Sequence, residues 1–257
     1  MGISKQAQIH ETAVIDESVT IGPWSVIGPN VKIGKGTKIS SHVVIKENTT
    51  IGKNNTFHQF ASIGSDPQVR DYKDQDSFLE IGDNNVFHES VTISRGDLSG
   101  SSITKIGNNN LFMTCSHVAH DCVIGNNVIL VNYSAIGGHV VVEDFVTIGV
   151  YCSVHQFCTL GKHSFLARGG IVTKDVLPFT MVDCRENKAI GINKVGLTRR
   201  GFSKGQIKSI FQCYKIIART DLLIKDAIIE MGNKVNDKDI VNDFAKMLKN
   251  SERGVVK

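Results

Sequence analysis

One Trp, four Tyr and twelve Phe leave this 257-residue chain poor in aromatics, at 7%. No nucleic-acid motif accompanies them, which argues against a surface that stacks bases. No run of 18 apolar residues occurs, so no helical membrane span is expected. The N-terminus opens without a charged and then apolar leader, as in a cytoplasmic protein. The six Cys show neither Cys-x-x-Cys nor zinc-finger spacing; they are expected to be reduced packing residues, with no metal site and no disulfide framework. No Gly-x-Ser-x-Gly elbow and no catalytic Cys setting is expected, which disfavours chemistry through an acyl-enzyme.

What the chain does have is a period of six. Ile9, Ile15, Ile21, Ile27, Ile33, Ile39, Ile45, Ile51, Phe57 and Ile63 keep it, then Ile81, Phe87 and Ile93. From Ile106 it runs, one residue out of phase, through Phe112, Val118, Ile124, Leu130, Ile136, Val142, Ile148, Val154, Leu160, Leu166 and Val172. Neither a helix nor an ordinary strand demands a residue every six. A solenoid with flat six-residue sides does, because each side turns one bulky chain inward. Gly often follows the apolar residue, as at Gly22, Gly28, Gly34, Gly52 and Gly82, and is expected to supply positive φ at the corners. Asn clusters nearby (Asn54-Asn55, Asn84-Asn85, Asn108 to Asn110). A small or β-branched residue, such as Val31, Ala61, Cys122 or Cys158, fills the fifth position. Three sides close a triangular coil of about 18 residues. The pattern resembles the hexapeptide-repeat proteins, and that resemblance implies a left-handed parallel β-helix.

The expected organisation is mainly β: a β-helix over residues 1–184, then a small α-helical domain over 185–257. Two interruptions, about 65–79 and 95–105, read as loops extruded from the prism. After Pro178 the period becomes helical. Ser203 and Gln206 spell a capping box before an apolar face of Ile207, Ile210, Phe211, Tyr214 and Ile217. Further helices are expected over 221–231 and 237–249, and the three should cap one end of the solenoid. Residues 1–184 carry 13 Lys and Arg against 17 Asp and Glu; residues 185–257 carry 16 against 8. A basic helical domain on a mildly acidic prism suits an acidic partner, with a solvated surface as the alternative.

With a period of 18, His120 lies under Gly138 and Gly138 under Gln156; Asp121, His139 and Phe157 form the adjacent column. His155 and His117 fall close by. Against a special role, His58-Gln59-Phe60 repeats His155-Gln156-Phe157 at the same hexad positions, and His88 shares that slot. A lone His here is therefore a corner residue; the cluster points to chemistry. A neutral imidazole accepts a proton near neutral pH. Asp121 can support the imidazolium, and the Gly138 N–H can meet an oxyanion. A base and an oxyanion donor about 5 Å apart describe direct acyl transfer to a hydroxyl or amine.

Ser116-His117-Val118-Ala119-His120-Asp121-Cys122, Gly137-Gly138-His139-Val140, Val154-His155-Gln156-Phe157 and the segment from Gly191 through Arg199-Arg200 to Phe202 resemble the UDP-N-acetylglucosamine 3-O-acyltransferases of lipid A biosynthesis. The closing Ser251-Glu252-Arg253-Gly254 does too. The resemblance implies transfer of a hydroxyacyl group from acyl carrier protein to the sugar 3-hydroxyl of UDP-N-acetylglucosamine. It implies no cofactor beyond the carrier's phosphopantetheine thioester, and a homotrimer with sites in the grooves between subunits. Catalysis would fall to His120, Asp121 and Gly138. His139, His155 and Gln156 would bind the nucleotide sugar, with His117 lining the site and Asn193, Arg199 and Arg200 near phosphates.

The sequence departs from the family at three places. Pro67-Gln68-Val69-Arg70-Asp71-Tyr72 lacks the Asp and Lys usual in the first loop, Cys184-Arg185 replaces a Gly-Asn pair, and Arg168 stands where a small residue ends the acyl groove. A bulky Arg168 implies a shorter acyl chain. Three rivals remain at this stage besides a 3-amino acceptor: a coenzyme A-dependent hexapeptide acetyltransferase, a γ-type carbonic anhydrase with three His on zinc, and a non-catalytic solenoid.

Overall fold

A computed structural model describes residues 2–70, 72–73, 76–218 and 222–257. Its strands, mostly two residues long, stack in parallel into three sheets that form the faces of a prism. The first face runs from Gln8–Ile9 to Gly170–Val172, the second from Val14–Ile15 to Thr159–Leu160. The third runs from Thr20–Ile21 to Thr180–Asp183. Going round one coil, the chain passes from first to second face at 120–121, from second to third at 126–127 and from third to first at 132–133. These are the first, second and third edges.

The six-residue beat is the core. From Ile21 to Val172 every beat residue is buried, none more than 4% exposed. Ile9 and Ile15 pack against the core only partly, at the end of the solenoid. Each fully buried aliphatic of this size contributes roughly 1.5–3 kcal/mol. The fifth-position residues are buried beside them, including Cys122, Cys152 and Cys158. Burial pushes the Cys122 and Cys158 thiols up to about 12 and about 11, so both stay protonated.

The corners are made differently from expectation. Positive φ falls on Asn30, Asn48, Asn54, Asn84, Asn109 and Asn127, and also on aromatic and His corner residues. Of the glycines that follow beat residues, Gly64 at the start of the first insertion has positive φ (75°), and the others do not. They are required by close approach: a Cβ on Gly22 would lie 2.6 Å from the Ser41 nitrogen, and one on Gly107 2.5 Å from the Gly125 carbonyl. The next coil's backbone occupies that space. Inside the second edge, Asn55, Asn85 and Asn110 form a buried ladder; Asn85 Nδ2 donates to Asn55 Oδ1 (3.0 Å) and to the Gly107 carbonyl (3.0 Å). Phe57, Phe87 and Phe112 stack at 4.6 and 4.7 Å.

Both long loops leave from the first edge. One follows Ser62–Ser65 and returns at Phe78–Ile81; the other follows Thr92–Ser94 and returns at Ile103–Ile106. Ile63 still pairs with Ile93, and Ile93 with Val118, so the prism closes beneath both insertions. Asp71 of the altered first loop and Asp221, the expected start of a helix, lie outside the described residues.

The sequence placed the change of architecture after residue 184, yet Lys188–Ile192 folds back antiparallel onto Thr180–Asp183 and extends the third face. Among the described residues four helices follow: α1 (Lys194–Arg199), α2 (Lys204–Ala218), α3 (Ile224–Lys234) and α4 (Lys238–Asn250). The first was not expected, being too short to show a period. The Ser203–Gln206 capping box forms, with reciprocal bonds of 3.0 and 3.1 Å. The helices pack on Leu177 and Phe179 and are tied to the prism by Lys162–Asp243 (2.6 Å) and by Ser251 donating to Asp175 (2.6 Å).

Gly107→Ala should therefore lower the unfolding free energy by about 1–3 kcal/mol. Gly205→Ala, in α2 with only Ser203 Oγ nearby at 3.7 Å, should raise it by about 0.5–1 kcal/mol. Denaturant titration of the two variants checks the contrast.

Candidate active site

The stacking of coils brings His120, Asp121, Gly138 and His139 together at the first edge, with His155 and Gln156 exposed one coil on. His139 N–H donates to the His120 carbonyl (3.0 Å) and Phe157 N–H to the Gly138 carbonyl (3.0 Å), which fixes the register of the three coils. The His120 ring lies against Gly138: a Cβ there would sit 2.8 Å from His120 Cε1 and Nε2. Only glycine fits under this ring, and the Gly138 N–H has no hydrogen bond among the described residues. The His139 ring meets His120 edge-on at 5.2 Å and stacks on Phe157 at 4.5 Å.

His120 Nδ1 bonds Asp121 Oδ2 at 2.7 Å. That bond places the proton on Nδ1 and leaves Nε2 with a free lone pair on the Gly138 side. The Asp121 side chain is fully buried under the second loop. The N–H groups of Asp97 (3.1 Å) and Ser101 (2.9 Å) and the Ser101 hydroxyl (2.9 Å) donate to its oxygens. Thr104 Oγ1 accepts from its N–H (2.8 Å). Sequence reasoning missed Asp97, Ser101 and Thr104; two act through backbone N–H groups, which leave no mark on composition. The only available signal was the Gly/Ser-rich loop itself, whose Gly100 is pressed against Asp121 and His139 (2.7 and 2.5 Å from a Cβ).

His120, Asp121 and His139 also present three ligand-type atoms within 4.8 Å of one another. The Asp121 oxygens are already taken by four donors, and the trio offers two imidazoles where a γ-type carbonic anhydrase site needs three. This is a hydrogen-bonded acid–base cluster. His117, on the first face beside it, bonds Thr92 Oγ1 (2.8 Å). Burial above all, with the His120 charge adding to it, keeps His117 below the ordinary imidazole range despite the Thr92 contact. It is neutral at pH 7.

The remaining candidates lie elsewhere on the chain. Asn193, Arg199 and Arg200 line a groove of about 610 Å³ on the third face, floored by Ile129, Thr147, Phe165 and Met181. The Asn193 side chain is committed: Oδ1 caps α1 by accepting from Gly196 N–H (3.1 Å), and Nδ2 donates to the His163 carbonyl (3.0 Å). Arg200 sits over Phe145 at 5.2 Å and donates to His163 Nδ1 (3.4 Å). His163 stacks on Phe145 at 4.7 Å. Burial first, then the Arg200 and Lys162 charges, push His163 down to about 4, so its Nδ1 is a free acceptor for the guanidinium. Arg168 stands at the third edge, exposed, with Nη1 on the buried Asp183 carboxylate (2.9 Å). Gly201-Phe202-Ser203-Lys204-Gly205 does spell Gly-x-Ser-x-Gly, but between two helices, and its Ser203 hydroxyl is the α2 cap.

A parallel β-helix with a carboxylate-supported His over a bare glycine defines a hexapeptide-repeat transferase. Residues 12–47 and 103–138 match the model for the bacterial transferase hexapeptide, and residues 175–256 that for UDP-N-acetylglucosamine O-acyltransferase, domain 2. An acyl-[acyl-carrier-protein]–UDP-N-acetylglucosamine O-acyltransferase from Saccharophagus degradans is 42% identical over 97% of this chain and 99% of its own length. One from Pseudomonas putida is 41% identical over 99% of both. The crystal structure of the Moraxella catarrhalis UDP-N-acetylglucosamine O-acyltransferase superposes with a TM-score of 0.96, 39% identity and full coverage of both chains. That of Francisella novicida gives 0.94 and 42% over 99% of this chain and 93% of its own. The chain belongs to the UDP-N-acetylglucosamine O-acyltransferase family, and its solenoid is the left-handed β-helix.

The state of His163 links stability to pH. In the unfolded chain it binds a proton below about pH 6.5; in the fold it stays neutral to about pH 4. Its contribution is present above pH 6.5 and is lost as pH falls from 6.5 to 4, by up to about 3 kcal/mol. Denaturant unfolding at stepped pH should show this slope in the parent protein and a shallower one in His163→Phe.

Proposed function

We propose that this protein transfers an (R)-3-hydroxyacyl group from acyl carrier protein to the 3-hydroxyl of UDP-N-acetylglucosamine, the first step of lipid A biosynthesis, in the cytoplasm. The observation that carries the mechanism is the His120–Asp121 pair set directly over Gly138. His120 Nε2 takes the proton of the sugar hydroxyl as its oxygen attacks the thioester carbonyl. Asp121 balances the imidazolium so formed, and the Gly138 N–H donates to the tetrahedral oxyanion. Collapse expels the carrier thiolate, which takes the proton from His120 and leaves the ester. No protein nucleophile is used. The donor brings its own phosphopantetheine, so no further cofactor is needed.

His139, His155 and Gln156 line the same edge and are the contacts for the nucleotide sugar, with His117 beside them. Arg199 and Arg200, which line the third-face groove, suit phosphates, while Asn193 holds the helix that carries them. One chain holds the two groups on separate parts of a rigid prism. That separation supports a homotrimer in which the first edge of each subunit faces the third face of the next and so completes the site. The basic helical unit, 16 Lys and Arg against 8 Asp and Glu, suits an acidic carrier protein.

His120→Ala should lower kcat by about 100- to 10,000-fold while circular dichroism and thermal midpoint stay near the parent values. Unchanged turnover would remove His120 from the mechanism. Mass spectrometry of the product formed from UDP-N-acetylglucosamine and mixed acyl carriers identifies the linkage; an acetyl product from coenzyme A, or an amide from a 3-amino acceptor only, would redirect the assignment. Arg168 should set a short acyl limit, so carriers of graded length should show the parent preferring short chains and Arg168→Gly moving the optimum longer. A parent enzyme strict for the longest chain refutes that role.

A further inference from the structure

The Asp121 carboxylate is held by a loop, and the loop is held by one buried arginine. Arg95 opens the second insertion and is only 1% exposed. Its Nε donates to Ser77 Oγ (3.1 Å), Nη2 to the Tyr72 hydroxyl (2.9 Å) and Nη2 to Asp66 Oδ1 (2.7 Å). Its Nη1 donates to the Gly64 carbonyl (3.4 Å) and pairs with Glu47. Those partners come from the prism and from both ends of the first insertion. One guanidinium thus ties two loops and a coil into a single unit at the first edge. Burial opposes the Arg95 charge, but Tyr72, Glu47 and Asp66 outweigh it and hold the group more firmly protonated than usual.

Two residues further on, Asp97 gives its N–H to Asp121 Oδ2, and Ser101 gives N–H and hydroxyl to Oδ1. The loop is closed on itself by Gly100 and Ser102 N–H groups donating to the Asp97 carbonyl (2.9 and 3.1 Å). It is fastened at its base by Arg95 N–H to Ser65 O (2.9 Å) and Gly96 N–H to Phe78 O (3.1 Å). Its tip covers Asp121, so the carboxylate is shut away from water. The prism itself does not need this arginine, because Ile93 pairs with Val118 beneath the loop.

We propose that Arg95 is a positioning residue for the His120–Asp121 pair: it pins the two insertions so that the second keeps its N–H groups on the Asp121 carboxylate. This rests on the reading of His120 as base and Asp121 as its support. Removing the guanidinium frees the second loop, lets water reach Asp121 and lets the carboxylate swing from His120 Nδ1. Misplacement of about 1 Å at a reacting group costs about 100-fold in rate.

The test is Arg95→Met in the full-length protein, with steady-state kinetics and NMR of the His120 Nδ1 proton in ¹⁵N-histidine-labelled enzyme. The control is Asn85→Ala, which breaks the buried ladder at the second edge and loses stability without touching the first. Arg95→Met should lower kcat by about 100-fold, leave both KM values near the parent's and abolish the low-field Nδ1 proton. Asn85→Ala should keep kcat and that proton. Should Arg95→Met not fold, Ser101→Ala decides: it removes one donor to Asp121 and should lower kcat and move the proton by a smaller amount. The proposal is overturned if these first-edge variants keep kcat and the proton, or lose no more rate than Asn85→Ala. Activity in His120→Ala would instead overturn the underlying reading; an inactive His120→Ala with a normal Arg95→Met isolates the failure to Arg95.

Discussion

Everything in this molecule follows from parallel backbones hydrogen-bonded coil to coil at constant register. In the uninterrupted coils a strand pairs with the one 18 residues on, as Val123 with Val141 and Ala135 with Ser153. Glycines such as Gly107 and Gly125 let successive backbones approach closely at the corners. Each edge is then a vertical file with a spacing near 4.8 Å, and any two residues in a file are held with the stiffness of a sheet. His120 and Gly138 are such a pair. The corners carry a local cost, since Asp121 and His139 adopt φ of 58° and 61°, conformations disfavoured for residues with a Cβ. Strain of this kind persists where surrounding structure over-determines it, as the loop bonds to Asp121 and the Phe157 stack on His139 do here.

Because the register is periodic, much of the site could be read from the sequence. The beat gave the buried residues and the coil length, and the coil length put His120 next to Gly138 in one file. What failed to show was whatever carries no period. A glycine needed for close approach looks the same in sequence as one needed for positive φ, so the corner glycines were misread. The grip on Asp121 comes through the N–H groups of Asp97 and Ser101, which any residue but proline could supply. Asn193 matched a binding motif, yet its amide is occupied in capping α1 and bonding the His163 carbonyl. The antiparallel strand Lys188–Ile192 follows a prism of parallel strands and breaks their period.

The third face shows the complementary limit of a rigid scaffold. A solenoid cannot bend to bring Arg199 and Arg200 round to the first edge. Its groove is built as carefully as the catalytic corner, with His163 buried, neutral and accepting from Arg200, and Phe145 beneath the guanidinium. Within one chain the groove thus aims a cation at a point away from His120.

A second His-rich corner shows what distinguishes chemistry from packing. At the third edge His58 stacks on His88 at 4.7 Å, with both rings near Glu89. Residue types there are close to those at the first edge, and His58-Gln59-Phe60 even repeats the tripeptide at 155–157. Yet His58, His88 and Glu89 are each about one-third exposed, and Glu89 takes its bonds from Gln59 and Thr114. Among the described residues no insertion covers them, and the file holds His58 against His88 where His120 has Gly138. At the first edge the carboxylate is buried, held by loop N–H groups, and the amide under the ring has no hydrogen bond among the described residues. An imidazole beside a carboxylate is common on this scaffold; one whose carboxylate is shut from water, above an unpaired N–H, is what the two insertions and one glycine create.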